Sequence, residues 1–175
     1  MDASSFHYWV NMDIEKILTN LEMHYEKITA EGHRNIRATH KTTLEITRED
    51  YLTPRGTCII GIKASKAASD LSPETKRLLK TRGCRVYLFI VVGGKVDFVE
   101  AWSDPRLTLT NPYSIVVRKS NYVDNRTIAV NANKAARDID RAIIEHLVRG
   151  EKVTAYLVVT KSSIKNFIKS HQITE

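Results

Sequence analysis

A stretch of eight residues occurs twice in this chain: ASKAASDL at 64–71 returns as ANKAARDI at 132–139. The similarity continues on both sides. With a shift of 71 residues, THKTTLEITREDYL at 39–52 lies over TNPYSIVVRKSNYV at 110–123, and the shift becomes 68 at the repeated stretch and 67 at VYLFIVV. The shift changes only in predicted turns, so the ordered matches indicate a tandem duplication whose two copies pack about a pseudo-two-fold axis.

Hydrophobic periodicity predicts the same order of elements in each copy: strand, strand, strand, helix, strand. The helix of the first copy is expected to begin near Ser65 and to restart at SPET. There Ser72 is a good N-cap and Pro73 suits the first helical turn. The helix is expected to end at Gly83, because glycine commonly terminates helices.

These elements favour a mainly β, α+β fold. We expect a pseudo-two-fold β-sandwich of two strand-strand-strand-helix-strand halves with flanking helices; a closed pseudo-symmetric β-barrel is the alternative. The 175 residues fit a single domain. Its parts are an N-terminal helical extension at 1–22, a first repeat at 23–92, a hairpin turn leading into a second repeat at 94–159, and a basic C-terminal tail at 160–175.

Composition limits the cellular setting and the class of partner. Cys58 and Cys84 fall in apolar strand-like stretches, at a separation that fits neither a zinc site nor a CxxC redox motif, so we interpret them as buried thiols in a reducing compartment. The N-terminus lacks a signal-peptide pattern and VYLFIVV is too short to span a bilayer, so we expect a cytoplasmic protein without membrane contact. The net charge of +7 favours an anionic partner.

The repeated stretch carries a lysine that helix chemistry does not explain. Lys66 and Lys134 lie at predicted helix starts, where the helix dipole disfavours a cation. In a functional interpretation, each lysine and the free amides of its helix start bind an anion such as phosphate. In a structural interpretation, each lysine pairs with a carboxylate across the pseudo-axis, Lys66 with Asp138 and Lys134 with Asp70.

Histidine chemistry, if present, would be confined to the first copy. His40 and the neighbouring Lys41 could form a polar cluster in which the histidine acts as acid or base near neutral pH. The alternative is a solvated turn with a satisfied histidine. No ligand at a recognised spacing accompanies His33 and His40, so we expect no metal, and the absence of GxGxxG and GxxxxGK motifs gives no support for a nucleotide cofactor.

The two ends of the chain suggest partners. In the tail, Lys161, Lys165 and Lys169 are predicted to share one face of a helix. This helix either docks on the domain with its lysines in solvent or contacts a phosphate backbone. The aromatic stretch FHYWV at 6–10 either packs on the core or stacks on bases or a partner.

Four stretches resemble one protein family. GHRNIRATHKTTLEIT, LTPRGTCIIGIKASKAASDL, LTLTNPYSIVVRKS and RTIAVNANKAARDID are similar to the archaeal domain of unknown function family 371, and the resemblance runs over about 23–159. It implies an archaeal, cytosolic protein with a β-rich sandwich core, and it implies no established activity. The chain departs from the family pattern at Arg34, where the family has proline, and at Asn111, where it has histidine. A histidine pair of the family would be reduced to His40 here.

Two functional hypotheses remain open. The first is a non-catalytic module that binds nucleic acid, principally RNA, or another phosphate-rich ligand. Its candidate contacts are Lys41, Lys66, Arg118, Lys119, Lys134 and the tail lysines. The second is an enzyme that acts on a small phosphorylated molecule, with His40 or His33 as acid or base and Lys66 holding phosphate. The enzyme requires its histidine and lysine in one pocket.

Overall fold

Eight β-strands form two four-stranded sheets in the computed structural model, which describes residues 13–164. The strands are β1 (Tyr25–Glu31), β2 (Thr43–Thr47), β3 (Ile59–Gly61), β4 (Arg85–Val92), β5 (Lys95–Trp102), β6 (Ser114–Arg118), β7 (Thr127–Ala129) and β8 (Lys152–Thr160). The α-helices are α1 (Ile14–Asn20), α2 (Pro73–Leu79) and α3 (Arg141–Val148). Short 3-10 helices at Ala68–Asp70 and Ala136–Asp138 precede α2 and α3. Within 13–164, no helix has the length and apolar character needed to cross a bilayer.

The first sheet is antiparallel throughout and has the order β1-β8-β4-β5. The second sheet has the order β3-β2-β6-β7, with an antiparallel centre and parallel outer pairs. At the centre of each sheet, a strand from the first half of the chain pairs with one from the second half, β4 with β8 and β2 with β6. The two halves therefore share both sheets, and neither half has a sheet of its own.

The main core lies between the two sheets. Alternate strand residues point into it, such as Leu88 and Leu157 from the first sheet and Ile46 and Ile115 from the second, each at most 1% exposed. These residues form one cluster with the apolar sides of α2 and α3. Burial of this shared apolar surface is the main force that holds the halves together.

A second, smaller cluster lies on the outer face of the first sheet. Tyr87, Phe89 and Phe98 alternate with the inward-facing residues and pack against Ile14 and Leu18 of α1. Asp13 is the N-cap of this helix, since its carboxylate accepts a hydrogen bond from the Lys16 amide at 3.0 Å. The helical extension thus covers one sheet face with its apolar side.

The predicted fold class is confirmed at the level of a mixed α+β protein with two sheets and accompanying helices, and no closed barrel is formed by residues 13–164. The helix predicted from Ser65 is wrong in its start. The Ser65 amide donates to the Thr29 carbonyl, and the Ser65 hydroxyl accepts the Thr29 amide. These two bonds hold Ser65 beside β1, outside any helix. Ser72 caps α2 as predicted, but α2 ends at Leu79, and Gly83 lies in the following turn with a φ of +83°.

The order of elements in 25–92 occurs again in 95–160. We call two positions matched when they lie 71 residues apart, for positions from β1 through Leu52 of the first half, or 68 residues apart, for positions from β3 to the helix starts. Matched positions make matched contacts. The Ser69 amide donates to the Asn111 carbonyl at 3.0 Å, and the Arg137 amide donates to the His40 carbonyl at 3.1 Å. Each 3-10 helix is thereby tied to a loop of the other half.

The start of the C-terminal tail differs from the predicted helix. Residues 161–164 are not helical, and Ile164 is buried with its amide donating to the Tyr87 hydroxyl at 3.3 Å. Lys161 is exposed. Lys165 and Lys169 lie outside the described residues, as does the aromatic stretch at 6–10.

Candidate nucleic-acid interface

Lys66 of the repeated stretch is held by a buried carboxylate. Its Nζ lies 2.5 Å from Oε2 of Glu26 on β1, and the other oxygen of Glu26 accepts the Ser72 amide at the start of α2. Glu26 is only 4% exposed. Burial raises the pKa of Glu26, but the hydrogen bonds from Lys66 and Ser72 lower it more, so the net pKa lies below the ordinary value of 4.5. We call this arrangement the first carboxylate clamp.

Lys134 has the same arrangement in the second half. Its Nζ lies 2.6 Å from Oδ1 of Asp97 on β5, and Oδ2 of Asp97 accepts the Asp140 amide at 2.8 Å. Glu26 and Asp97 are matched positions. In this second carboxylate clamp the lysine side chain is 14% exposed and the aspartate side chain 8%. The clamps explain why the repeat needs a lysine: it neutralises the buried carboxylate that also fixes the helix start.

The pairs predicted across the pseudo-axis, Lys66 with Asp138 and Lys134 with Asp70, are wrong. Asp70 instead lies 3.0 Å from Arg48, and Asp138 lies 2.7 Å from Lys119. The two aspartates also accept the amides that open their own 3-10 helices, from Ala67 and Ala135. Each lysine reaches a carboxylate on a strand of its own half because residue 66 or 134 precedes the 3-10 helix and runs beside that strand.

Arg118 is also paired with a carboxylate. Its guanidinium donates to Asp124 and to the Thr127 hydroxyl, both at 2.9 Å, and its side chain is 11% exposed. The guanidinium carbon also lies 4.9 Å from the ring centre of the exposed Tyr122. With Lys66, Lys119 and Lys134, it makes four cations paired with carboxylates among the six selected cations that lie within residues 13–164.

The candidate histidines act as backbone caps. Nδ1 of His40 accepts the amides of Thr42 and Thr43, at 3.2 and 3.0 Å, and Nδ1 of His33 accepts the Asn35 amide at 2.9 Å. In the second half, the Asn111 side-chain oxygen accepts the amides of Tyr113 and Ser114. Asn111 is matched to His40, so both side chains serve the same turn. The predicted solvated turn with a satisfied histidine describes this geometry.

No hydrogen bond or ion pair joins His40 to Lys66 in the described part of the chain. His40 lies beside the second 3-10 helix, whereas Lys66 is held on β1. Residues 13–164 also contain no group of three His, Cys, Asp or Glu side chains arranged to hold a metal ion. The geometry thus holds the two candidate residues of the phosphorylated-substrate enzyme against different elements.

Cations with little carboxylate pairing gather elsewhere, along the loop at 32–42 between β1 and β2 and the residues packed on it. This loop, which we call the basic loop, contains no Asp or Glu. The Arg141 guanidinium at the start of α3 donates to the carbonyls of Arg37 and Ala38, at 2.9 and 2.7 Å, and the Arg137 amide binds the His40 carbonyl. Loop, 3-10 helix and helix start thus form one surface. Its exposed cations, which we call the basic face, are Arg34, Arg37, Lys41, Arg137 and Arg141.

The basic face has little acidic compensation. The carboxylates that flank Arg137 and Arg141 in the chain are committed elsewhere: Asp138 binds Lys119, and Asp140 accepts the Ala142 amide at 2.8 Å. Arg137 approaches Asp138 only to 3.9 Å. No other member of the basic face has a carboxylate within 4 Å among residues 13–164. Five like charges on one surface create a positive potential that attracts anions.

The half-fold does not require these charges. The five positions matched to the basic face carry no charge: Pro105, Thr108, Pro112, Ser69 and Pro73. The clamps, by contrast, occur in both halves with the same chemistry. A feature present in both halves serves the shared architecture, so a charged surface present in only one needs another explanation.

Gly32 seats the basic loop against α3. Its amide donates to the Glu151 carbonyl at 2.8 Å, and a Cβ here would lie 2.1 Å from the Leu147 carbonyl oxygen. Gly32→Ala is therefore expected to displace the loop and to lower the free energy of unfolding by about 2 kcal/mol, measured by urea denaturation. Gly83→Ala is the control, because a Cβ there meets nothing within 4 Å and adds only the strain of a positive φ, about 1 kcal/mol. A smaller loss for Gly32→Ala than for Gly83→Ala would contradict this role.

The two cysteines differ in burial and in surroundings. Cys84 is fully buried, as predicted, whereas Cys58 is only partly buried and lies 3.5 Å from the Glu45 carboxylate. Burial and the negative charge of Glu45 raise the pKa of the Cys58 thiol to about 12. Cys58 is therefore a neutral thiol at physiological pH and a poor nucleophile.

Known proteins similar to this chain define its family. The family model described as "Domain of unknown function (DUF371)" matches residues 28–160. The chain belongs to the DUF371 family. A relative from Methanocaldococcus jannaschii, "Uncharacterized protein MJ0206", is 46% identical over 132 residues, which make up 75% of this chain and 97% of that protein. The family resemblance expected from the sequence is confirmed, and the DUF371 match includes the basic face but not α1.

Sequence reasoning selected Lys41 but missed the other members of the basic face. The signal was present in the comparison of the two copies, since Arg34, Arg37, Arg137 and Arg141 replace uncharged residues. The repeated stretch pointed to Lys66 and Lys134 instead, which are the lysines of the clamps. In this DUF371 protein the basic face is found among the residues that differ between the halves.

Proposed function

We propose that the protein is a non-catalytic module that binds the phosphate backbone of nucleic acid, principally RNA, through the basic face. The observation that carries the proposal is the set of five exposed cations on one surface, which are absent from the matched positions of the other half. Lysine and arginine contacts with phosphates release condensed counterions and supply most of the affinity in such complexes.

The proposed site differs from the one expected at the repeated helix starts. Lys66 and Lys134 face buried carboxylates, and an anion that recruited either lysine would leave Glu26 or Asp97 buried without its partner. Breaking a buried pair in this way costs several kcal/mol. The basic face has no such cost, because its side chains are exposed and, Arg137 apart, form no ion pair with a carboxylate of residues 13–164.

The comparison between halves supports the proposal further if the halves descend from one unit. We infer a tandem duplication from the ordered sequence matches, the repeated element order and the two clamps. After a duplication, the contacts needed by each half are retained in both, whereas a new surface can arise in one. The basic face has the distribution expected of such a surface.

The test is fluorescence anisotropy with a labelled single-stranded RNA of mixed sequence at several salt concentrations. The variant Arg37→Ala/Lys41→Ala/Arg137→Ala is expected to bind at least about tenfold more weakly at low salt. The slope of log affinity against log salt should fall by about 2, since each lost phosphate contact accounts for about 0.7 on a single strand. Arg141 is left in place because it holds the basic loop.

The matched control is Lys16→Ala/Lys80→Ala/Arg82→Ala, which removes the same charge from exposed positions outside the basic face. It is expected to keep the wild-type slope, apart from a small effect of net charge. Equal losses of affinity in the two triple variants would contradict a localised interface. Absence of binding by the wild-type protein to RNA and DNA at low salt would reject the proposed function.

A further inference from the structure

Tyr122 is an exposed aromatic side chain next to the basic face. It is 59% exposed and follows β6 in a turn that begins at Lys119. The Lys119 amide donates to the Thr42 carbonyl at 2.9 Å, which ties this turn to the end of the basic loop directly after Lys41. The turn that carries Tyr122 is therefore joined to the end of the basic loop, whose cations are proposed to hold phosphates.

The ring of Tyr122 has a cationic support. The guanidinium carbon of Arg118 lies 4.9 Å from the ring centre, within the range of a cation–π contact. Arg118 is itself fixed by Asp124 and the Thr127 hydroxyl, each at 2.9 Å, and is 11% exposed. Because a buried network holds this cation, the ring rests on a rigid base while most of its surface remains in solvent.

Tyr51, the matched residue in the first half, has the same exposure but different surroundings. It is 63% exposed, and the position matched to Arg118 is Thr47, a residue that has no guanidinium to place beside the ring. Its neighbours are Glu49 and Asp50, and the hydrogen bond and negative charge of Glu49 raise the pKa of the Tyr51 hydroxyl. The two tyrosines thus provide a matched pair, one with a guanidinium beside its ring and one with carboxylates as chain neighbours.

We propose that Tyr122 stacks on a nucleobase of a single-stranded nucleic acid whose phosphates contact the basic face. This inference rests on the proposed function and deepens it, because it assigns a base-binding position and a preference for single strands. Unpaired bases expose their faces to aromatic side chains, whereas bases in a duplex are already stacked on each other. A cation next to the ring strengthens binding without reading sequence.

The experiment compares Tyr122→Ala, Tyr122→Phe and Tyr51→Ala with the wild-type protein in anisotropy titrations at one salt concentration. The probes are a labelled single-stranded RNA 12-mer, the same RNA as a duplex, and inorganic polyphosphate as competitor. Tyr122→Ala is expected to weaken single-strand binding at least about fivefold and to leave polyphosphate competition within twofold of wild type. Tyr122→Phe keeps the ring and should bind like wild type, as should Tyr51→Ala.

The outcomes separate this inference from the proposed function. If the wild-type protein binds polyphosphate and RNA but Tyr122→Ala behaves like Tyr51→Ala, base stacking is wrong and the phosphate interface stands. Tighter binding of the duplex than of the single strand would also overturn the inference. If the wild-type protein binds none of the three probes, both proposals fail. Urea denaturation of each variant confirms that it is folded, and Tyr122→Phe supplies a second variant should the alanine variant not fold.

Discussion

Replacing Lys134 with alanine is expected to lower the free energy of unfolding by about 3 to 5 kcal/mol. The substitution leaves the carboxylate of Asp97 in a site where its side chain is 8% exposed, with only backbone amides as partners. Removal of one partner from a buried ion pair is strongly destabilising, because the remaining charge is neither hydrated nor neutralised. Urea denaturation followed by tryptophan fluorescence measures the change.

Two comparisons identify the cause of the loss. Lys66→Ala removes the lysine of the first clamp, which is 35% exposed. Water can enter the space that this side chain leaves beside Glu26, so the loss of unfolding free energy should be smaller. The double variant Asp97→Val/Lys134→Met should recover part of the stability, since apolar residues often replace a buried pair at little cost. Lys41→Ala, at an exposed position, should stay within about 0.5 kcal/mol of wild type. A loss below 1 kcal/mol in Lys134→Ala would contradict the clamp's role.

The second large effect concerns Asp124 and acid. Burial alone would raise the pKa of Asp124, but hydrogen bonds from Arg126 and the charges of Arg118 and Arg126 bring it from 3.8 down to about 2. A carboxyl group with a lower pKa in the folded state stabilises that state when ionised. Its contribution, about 2 kcal/mol, is complete above the unfolded pKa and is lost as the pH falls through the folded pKa.

The expected result is a pH-dependent difference between the wild-type protein and Asp124→Asn. The difference in their free energies of unfolding should shrink by about 1 kcal/mol between pH 6 and pH 3, as the pH passes below the unfolded pKa. Other acidic groups, including Glu26, titrate in both proteins and cancel in the comparison. A difference that stays constant over this pH range would show that the arginines do not lower the pKa of Asp124.

Sequence periodicity predicted the strands well because their apolar residues alternate or run continuously. The Gly93 and Gly94 turn was also predictable, since both residues have positive φ. The start of α2 was only half predictable. Ser72 and Pro73 gave the correct cap, but Ser65 was assigned to a helix because its bonds to Thr29, 36 residues away, leave no local signal. Strand order was not predictable, because pairing depends on contacts between the halves.

For the two clamps, the unusual lysines could be predicted from the sequence but their carboxylate partners could not. Helix rules showed that Lys66 and Lys134 needed an explanation outside the helix, and the structure supplies it in Glu26 and Asp97. Nothing in the sequence pattern favours a partner for Lys66 that lies 40 residues away over a carboxylate nearby in the chain. Lys41 was selected because of its neighbour His40, whereas Arg137 and Arg141 join it only through the packing of the basic loop on the second half.

The position of β8 has a consequence for how this chain folds. It lies between β1 and β4, and it is the last strand of the described chain to be synthesised. Until it arrives, β1 lacks its neighbour and one edge of β4 remains unpaired, so the first sheet cannot close during synthesis of the first half. The chain must therefore hold two open strand edges until the final segment enters between them. Such late, long-range pairing favours slow folding and makes the nascent protein sensitive to aggregation.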